Sequence, residues 1–141
     1  MQEFNLASNQ DVEQENINTQ KEYSTLVKRC ILTMETEYLY LLGIAEIADF
    51  LGVSKHHLIR LFSKEVGISP QKYFIKYKLL QSKILLADHG LAIESVALGS
   101  GFSTGNYYTK VFKKEYGLTP SEYRKDLPVT IPKLATEQMY L

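Results

Sequence analysis

The chain has 141 residues, 45% of them hydrophobic, with one cysteine and a formal net charge of zero. That length accommodates one domain of ordinary size, or two very small domains that share a core. The lone Cys30 excludes an internal disulfide and a multi-cysteine zinc site. No secretory signal opens the sequence, and its longest apolar stretch, around residues 38–45, is too short to span a bilayer. These features predict a cytoplasmic protein.

The zero net charge conceals an uneven distribution along the chain. Residues 1–20 carry four acidic groups and no Lys or Arg, and residues 21–50 carry three basic and five acidic groups. Residues 51–125 carry twelve basic and five acidic groups, a net charge of +7. Such asymmetry favours a polyanionic partner, and a solvated lysine-rich surface is the alternative.

The first half of the chain predicts a tail, an amphipathic helix and a helical pair. Residues 1–20 are polar and rich in Asn and Gln, which predicts a disordered tail or an interdomain linker. A first helix is indicated by apolar residues at helical spacing, namely Tyr23, Leu26, Val27, Cys30, Ile31 and Met34. A short helix over about residues 44–51 then ends at Gly52, and Ser54 caps a longer one over about 55–66. This pair forms a helix-turn-helix at about residues 44–66.

The second half repeats this arrangement after a connecting helix. That helix is predicted over about residues 70–88, roughly 27 Å long, with Pro70 in its first turn. Its predicted apolar stripe consists of Tyr73, Tyr77, Leu80 and Ile84, and a neighbouring face carries Lys72, Lys76 and Lys83. A second helix-turn-helix follows at about residues 92–116, then a short helix to about Asp126 and a tail over 127–141. No alternating strand pattern appears, so the fold class is all-α.

The two helical pairs are a repeat in the residues themselves. The pattern Phe62-x-Lys64-Glu65-x-Gly67-Ile68-Ser69-Pro70-x-x-Tyr73 recurs 50 residues later as Phe112-x-Lys114-Glu115-x-Gly117-Leu118-Thr119-Pro120-x-x-Tyr123. The residues Ile44, Ile47, Ala48 and Gly52 recur as Ile93, Val96, Ala97 and Gly101, at an offset of 49. A repeated helix, glycine-containing turn and helix is typical of DNA-binding proteins. Two units on one chain indicate a protein that grips two stretches of one duplex.

A helical wheel separates a core face from a reading face in the second helix of each unit. The predicted core residues are Leu58, Leu61 and Phe62, and Tyr108, Val111 and Phe112. The predicted base-reading residues on the opposite face are His56, Ile59, Arg60, Asn106, Thr109 and Lys110. The predicted phosphate contacts are Lys55, Ser63, Lys64, Gly105, Lys113 and Lys114. Arg60 and Lys110 suit guanine, Asn106 suits adenine and Ile59 suits a thymine methyl group, whereas phosphate contacts orient without specifying sequence.

Each of these residues also has a plainer interpretation. Polar residues opposite a core face describe any surface helix, and adjacent His56 and His57 point about 100° apart, which disfavours a shared metal ion. Cys30 is expected in the core. The sequence contains no paired carboxylates, nucleophile triad, glycine-rich phosphate loop or metal-ligand cluster, so we expect neither catalysis nor a cofactor.

These motifs resemble the DNA-binding domain of AraC-type (AraC/XylS) bacterial transcription regulators. The resemblance covers about residues 23–125 and rests on Leu51-Gly52-Val53-Ser54-x-x-His57-Leu58-x-Arg60-Leu61-Phe62 and on Gly101-Phe102-Ser103-x-x-x-Tyr107-Tyr108-x-Lys110-Val111-Phe112-Lys113-Lys114, with Gly117-x-Thr119-Pro120-Ser121-x-Tyr123-Arg124. It implies two homeodomain-like helix-turn-helix subdomains, over residues 21–126, that insert helices into successive major-groove segments. It also implies promoter activation through contact with RNA polymerase.

The resemblance also bears on what else the whole protein contains, and two rival interpretations of its function stand beside it. Many relatives of this kind carry an effector-binding or receiver domain before the DNA-binding domain, and the linker-like residues 1–20 favour a fragment of such a protein over a small stand-alone regulator. A module that binds an acidic protein partner is an alternative to DNA binding. The DNA-binding part of an alkylation-repair regulator is another, but such proteins need several cysteines and Cys30 stands alone.

Overall fold

The computed structural model describes residues 23–41 and 43–129, and this part of the chain is built from helices. The helices in chain order are α1 (Thr25–Glu37), α2 (Ile44–Leu51), α3 (Lys55–Val66), α4 (Pro70–Leu86), α5 (Ile93–Gly99), α6 (Gly105–Tyr116) and α7 (Pro120–Lys125). The fold is all-α, as predicted. The predicted tail at 1–20 and most of the predicted tail at 127–141 lie outside the described residues. Within those residues, no helix is both long and apolar enough to cross a membrane.

Local signals at the helix ends match the repeat. Hydroxyl side chains accept a hydrogen bond from the backbone N–H three residues on at the starts of five helices, from Ser24, Ser54, Ser69, Thr104 and Thr119. Each such cap typically stabilises a helix by about 1 kcal/mol. At the C-terminal ends of α3 and α6, Gly67 and Gly117 have φ of 92° and 83°. That left-handed conformation carries a steric penalty for other residues, so glycine terminates both helices at the same point of the repeat.

The apolar residues form two separate cores. The first core lies among α1, α2 and α3 and consists of Val27, Cys30, Met34, Ile44, Ile47, Ala48, Leu51, Leu58, Phe62 and Phe74. The second lies among α4, α5 and α6 and consists of Leu79, Leu86, Val96, Ala97, Phe102, Tyr108 and Phe112. Helix α4 contributes Phe74 to the first core and Leu79 and Leu86 to the second. Helix α4 therefore packs against the cores of both helix-turn-helix units.

The predicted apolar stripe of α4 is wrong in part: Tyr73 packs against the first core, but Leu80 and Ile84 face solvent. Leu80 and Ile84 are 56% and 67% exposed, and the residues that α4 buries are Pro70, Phe74, Lys78, Leu79, Ser82 and Leu86. Tyr77 is half-buried, and its hydroxyl donates to the Glu35 carbonyl at 3.3 Å. The reason for the error is that α4 carries apolar side chains around most of its circumference. Periodicity alone cannot choose a buried face in such a helix, because contacts with α1, α5 and α6 decide it.

Candidate nucleic-acid interface

Helix α3 places a buried face toward the first core and a polar face toward solvent. Leu58 and Phe62 are fully buried, whereas His56 and Arg60 on the opposite side are exposed. The Ser54 hydroxyl accepts from the His57 backbone N–H at 3.1 Å and so holds the first turn of this helix in place. The two polar side chains therefore project from a helix whose rotation is set by core packing, which is a requirement for reading base edges.

Helix α6 has the same design in the second unit. Tyr108 and Phe112 are fully buried, and Asn106 and Lys110 are exposed on the opposite side. The Phe112 ring packs edge-on against Tyr108, Tyr116 and Tyr123, with centroids 5.7, 4.7 and 5.6 Å away. This aromatic cluster anchors the helix from beneath. The exposed faces of α3 and α6 correspond to each other across the 50-residue offset.

The remaining predicted contact residues are not all equally accessible. The lysines predicted to contact phosphates are exposed, namely Lys55, Lys64, Lys113 and Lys114. Ile59 and Thr109 are half-buried at equivalent edges of the two helices, and Ile59 packs against the first core. Ser63 is also half-buried. Ile59 and Thr109 can therefore offer only part of their side chains to a base, so the roles of these residues stay predictions.

Gly105, the first residue of α6, is held within the second unit. Its backbone N–H donates to Glu94 Oε2 at 2.9 Å, and the residue is buried. A side-chain Cβ at this position would collide with the Glu94 carboxylate. The predicted phosphate contact at Gly105 would thus have to compete with an internal hydrogen bond. No sequence signal pointed to Glu94, because the contact depends on how α5 packs against α6.

An open cleft of about 600 Å³ separates the first half of α4 from α6. Four lysines line it, Lys72 and Lys76 from α4 and Lys110 and Lys114 from α6. Lys76 forms an ion pair with Glu115, with Nζ 3.4 Å from Oε1. The sequence placed Lys72 and Lys76 on one face of the connecting helix but assigned them no role. The fold brings them beside two predicted DNA-contacting residues.

Lys78 joins the two units from within. Its side chain is buried, and Nζ lies 4.4 Å from the centroid of the Phe74 ring, donating to the Gly101 carbonyl at 3.4 Å. Burial lowers the pKa of Lys78 below its usual value of 10.5. The charge therefore lies at the junction between the α4 helix and the turn of the second unit.

These features define a class of protein with two helix-turn-helix units on a shared helix, in which the second helix of each unit has an exposed polar face. Residues 47–126 match the family model described as a helix-turn-helix domain. The Msm operon regulatory protein of Streptococcus mutans is 30% identical over 127 residues, which cover 90% of this chain and 43% of that protein. The chain thus spans less than half the length of this curated relative.

Solved structures share the fold over most of the described chain. The C-terminal domain of AraT, a response regulator from Geobacillus stearothermophilus, is 30% identical with a TM-score of 0.68, covering 73% of this chain and 86% of that one. An AraC-type DNA-binding domain protein from Chromobacterium violaceum is 29% identical with a TM-score of 0.62, covering 71% and 89%. The chain belongs to the AraC-type helix-turn-helix family, and the matched part is that family's DNA-binding domain.

Proposed function

We propose that this chain binds double-stranded promoter DNA sequence-specifically and reads two successive major-groove segments with α3 and α6. The observation that carries the proposal is the equivalence of the two exposed faces, each fixed from beneath by a buried aromatic residue, Phe62 or Phe112. The 17-residue helix α4, about 26 Å long, separates the units. That length suits two groove segments about one duplex turn, or about 34 Å, apart.

The chemistry of the exposed residues supports different readings by the two units. The first unit presents His56 and Arg60 with the edge of Ile59, and the second presents Asn106 and Lys110 with the edge of Thr109. Arg60 can place two hydrogen bonds on guanine, and Asn106 can pair with adenine. Because the two sets differ, the DNA site is asymmetric. With no side chain at Gly105, α6 is the weaker reader.

The regulatory role proposed for the whole protein is activation of transcription in the cytoplasm, by contact with RNA polymerase and without catalysis or a cofactor. The family and the printed name of the Streptococcus mutans relative, an operon regulatory protein, support regulation. The coverage of 43% of that relative supports a preceding effector or receiver domain, and the AraT fragment is the C-terminal domain of a response regulator. Residues 1–20 would then form the linker to that domain.

Selection of bound duplexes from a random pool tests this function. We expect enrichment of an asymmetric site with two specified blocks whose centres lie about one duplex turn apart. Insertion of five base pairs between the blocks rotates one groove to the far side of the duplex and should abolish simultaneous contact. A single enriched block that tolerates the insertion would mean that one unit reads and the other serves the fold. No enrichment, with binding insensitive to salt, would favour an acidic protein partner.

A further inference from the structure

The cleft between α4 and α6 is strongly basic. Among its lining residues in the described chain, Glu115 is the one acidic group, against the four lysines 72, 76, 110 and 114. Lys110 and Lys114 belong to the exposed face that α6 is proposed to turn toward DNA, so the cleft borders that face. Lys76 keeps 45% of its side chain exposed despite the ion pair with Glu115, and Lys72 is exposed. Both are accessible to an anion.

The repeat shows that this basic character is specific to α4. At the 50-residue offset, Lys72 and Lys76 correspond to Glu122 and Asp126 in and after α7. Glu122 completes a capping box, in which its carboxylate accepts from the Thr119 backbone N–H at 2.8 Å. The two positions are thus basic in α4, which connects the two units, and acidic in and after α7, which follows the second unit. A generic surface requirement of the repeat would not produce this difference.

The position of the cleft identifies the anion. Helix α3 ends at Val66, and Ser69 and Lys72, three and six residues further along the chain, line the cleft that leads to α6. On one side of a duplex, two successive major-groove segments are separated by a minor groove bordered by phosphates of both strands. If two helices of one protein enter those segments, the protein surface between the helices lies opposite the intervening phosphates. The lysine-lined cleft runs from the residues that follow α3 to the exposed face of α6, which is where such a surface would lie.

We propose that Lys72 and Lys76 bind the DNA phosphates that lie between the two major-groove segments, an inference that rests on the proposed DNA-binding function. These contacts carry no sequence information and fix the spacing and approach of the two reading helices. Glu115 competes with the phosphate for Lys76, because Lys76 must give up its ion pair with Glu115 to bind a phosphate. Glu115 therefore limits the affinity of the domain for duplex DNA of any sequence.

Salt dependence and phosphate ethylation interference on the selected duplex test the proposal. Lys72→Gln and Lys76→Gln are each expected to flatten the log–log salt slope by about one unit. They should also remove the interference caused by ethylated phosphates between the two blocks, while interference around each block persists. Lys125→Gln is the matched control, because it removes the same charge from an exposed position of α7 outside the cleft. It should leave the slope and the interference pattern between the blocks unchanged.

A variant with the opposite effect separates this role from structural damage. Glu115→Gln frees Lys76 and should tighten binding several-fold at low salt, and this gain should disappear in the Lys76→Gln background. A parent-like slope and interference pattern in both lysine variants would overturn the proposal and leave the two-groove reading intact. Absence of salt-dependent duplex binding by the parent protein would overturn both.

Discussion

The ammonium group of Lys78 lies 4.9 Å from the centroid of the Phe102 ring, on the turn between α5 and α6. Its other aromatic neighbour, Phe74, belongs to the first core, whereas Phe102 belongs to the second. One buried cation thus touches both units. A cation over aromatic faces is stabilised by about 2 kcal/mol when it is shielded from water, and desolvation of the charge opposes this gain.

The pH dependence of stability should reveal the buried charge. Because burial lowers the pKa of Lys78 below 10.5, the unfolded chain binds more protons than the folded chain between the folded pKa and 10.5. This residue therefore makes the protein more stable as pH rises through that window. In Lys78→Met the contribution is absent, so the parent should gain stability relative to the variant on the approach to pH 10.5. Denaturant unfolding of both proteins at several pH values measures the difference between their free energies of unfolding. This difference would not change with pH if Lys78 were solvated.

The buried aromatic residues beneath the exposed faces of α3 and α6 should contribute strongly to stability. Phe62→Ala and Phe112→Ala should each lower the free energy of unfolding by roughly 3–5 kcal/mol, because both side chains are fully buried. His56→Ala, at an exposed position of α3, serves as the control and should stay within about 0.5 kcal/mol of the parent. Urea unfolding followed by circular dichroism is the measurement. Parent-like stability of both phenylalanine variants would contradict the assigned core faces.

Base reading and phosphate binding should separate in α3. Arg60→Ala should weaken binding to the selected site by roughly 1–3 kcal/mol and relax preference at one or two base pairs. Lys64→Ala should weaken binding about equally on selected and random duplexes and flatten the salt slope by about one unit. Titrations of both variants on both duplexes measure this. An equal loss on the two duplexes for Arg60→Ala would reassign that residue to a phosphate contact.

The hydrogen bond between Gly105 and Glu94 should make mutations at these positions non-additive. Gly105→Ala forces the Glu94 carboxylate away from the first turn of α6, with a loss of roughly 1–2 kcal/mol. In a Glu94→Ala background the collision is absent, so the same Gly105→Ala change should be neutral or stabilising. Thermal unfolding of the two single variants and the double variant completes the cycle. Additive effects would show that the carboxylate does not constrain the glycine.

The positions of several helices, and the buried faces of α3 and α6, could be predicted from residues close together in the sequence. The hydroxyl caps and the helix-ending glycines are local signals, and the 50-residue repeat presents them twice, so the positions of α2, α3 and α6 followed from them. The core faces of α3 and α6 were also accessible, because each short helix packs against its own unit on one side. Leu58 and Phe62 are buried and Arg60 is exposed, in agreement with the wheel.

Tertiary structure decided what depends on packing between segments distant in the chain. The buried face of α4 is one case, because this helix packs on two cores and carries apolar residues that neither core uses, such as Leu80 and Ile84. The burial of Lys78 and the contact of Glu94 with Gly105 are others. The lysine cleft exists only because α6 packs beside the first half of α4. Periodicity describes a helix from its own residues, whereas the angle between two helices is set by the side chains that meet across them.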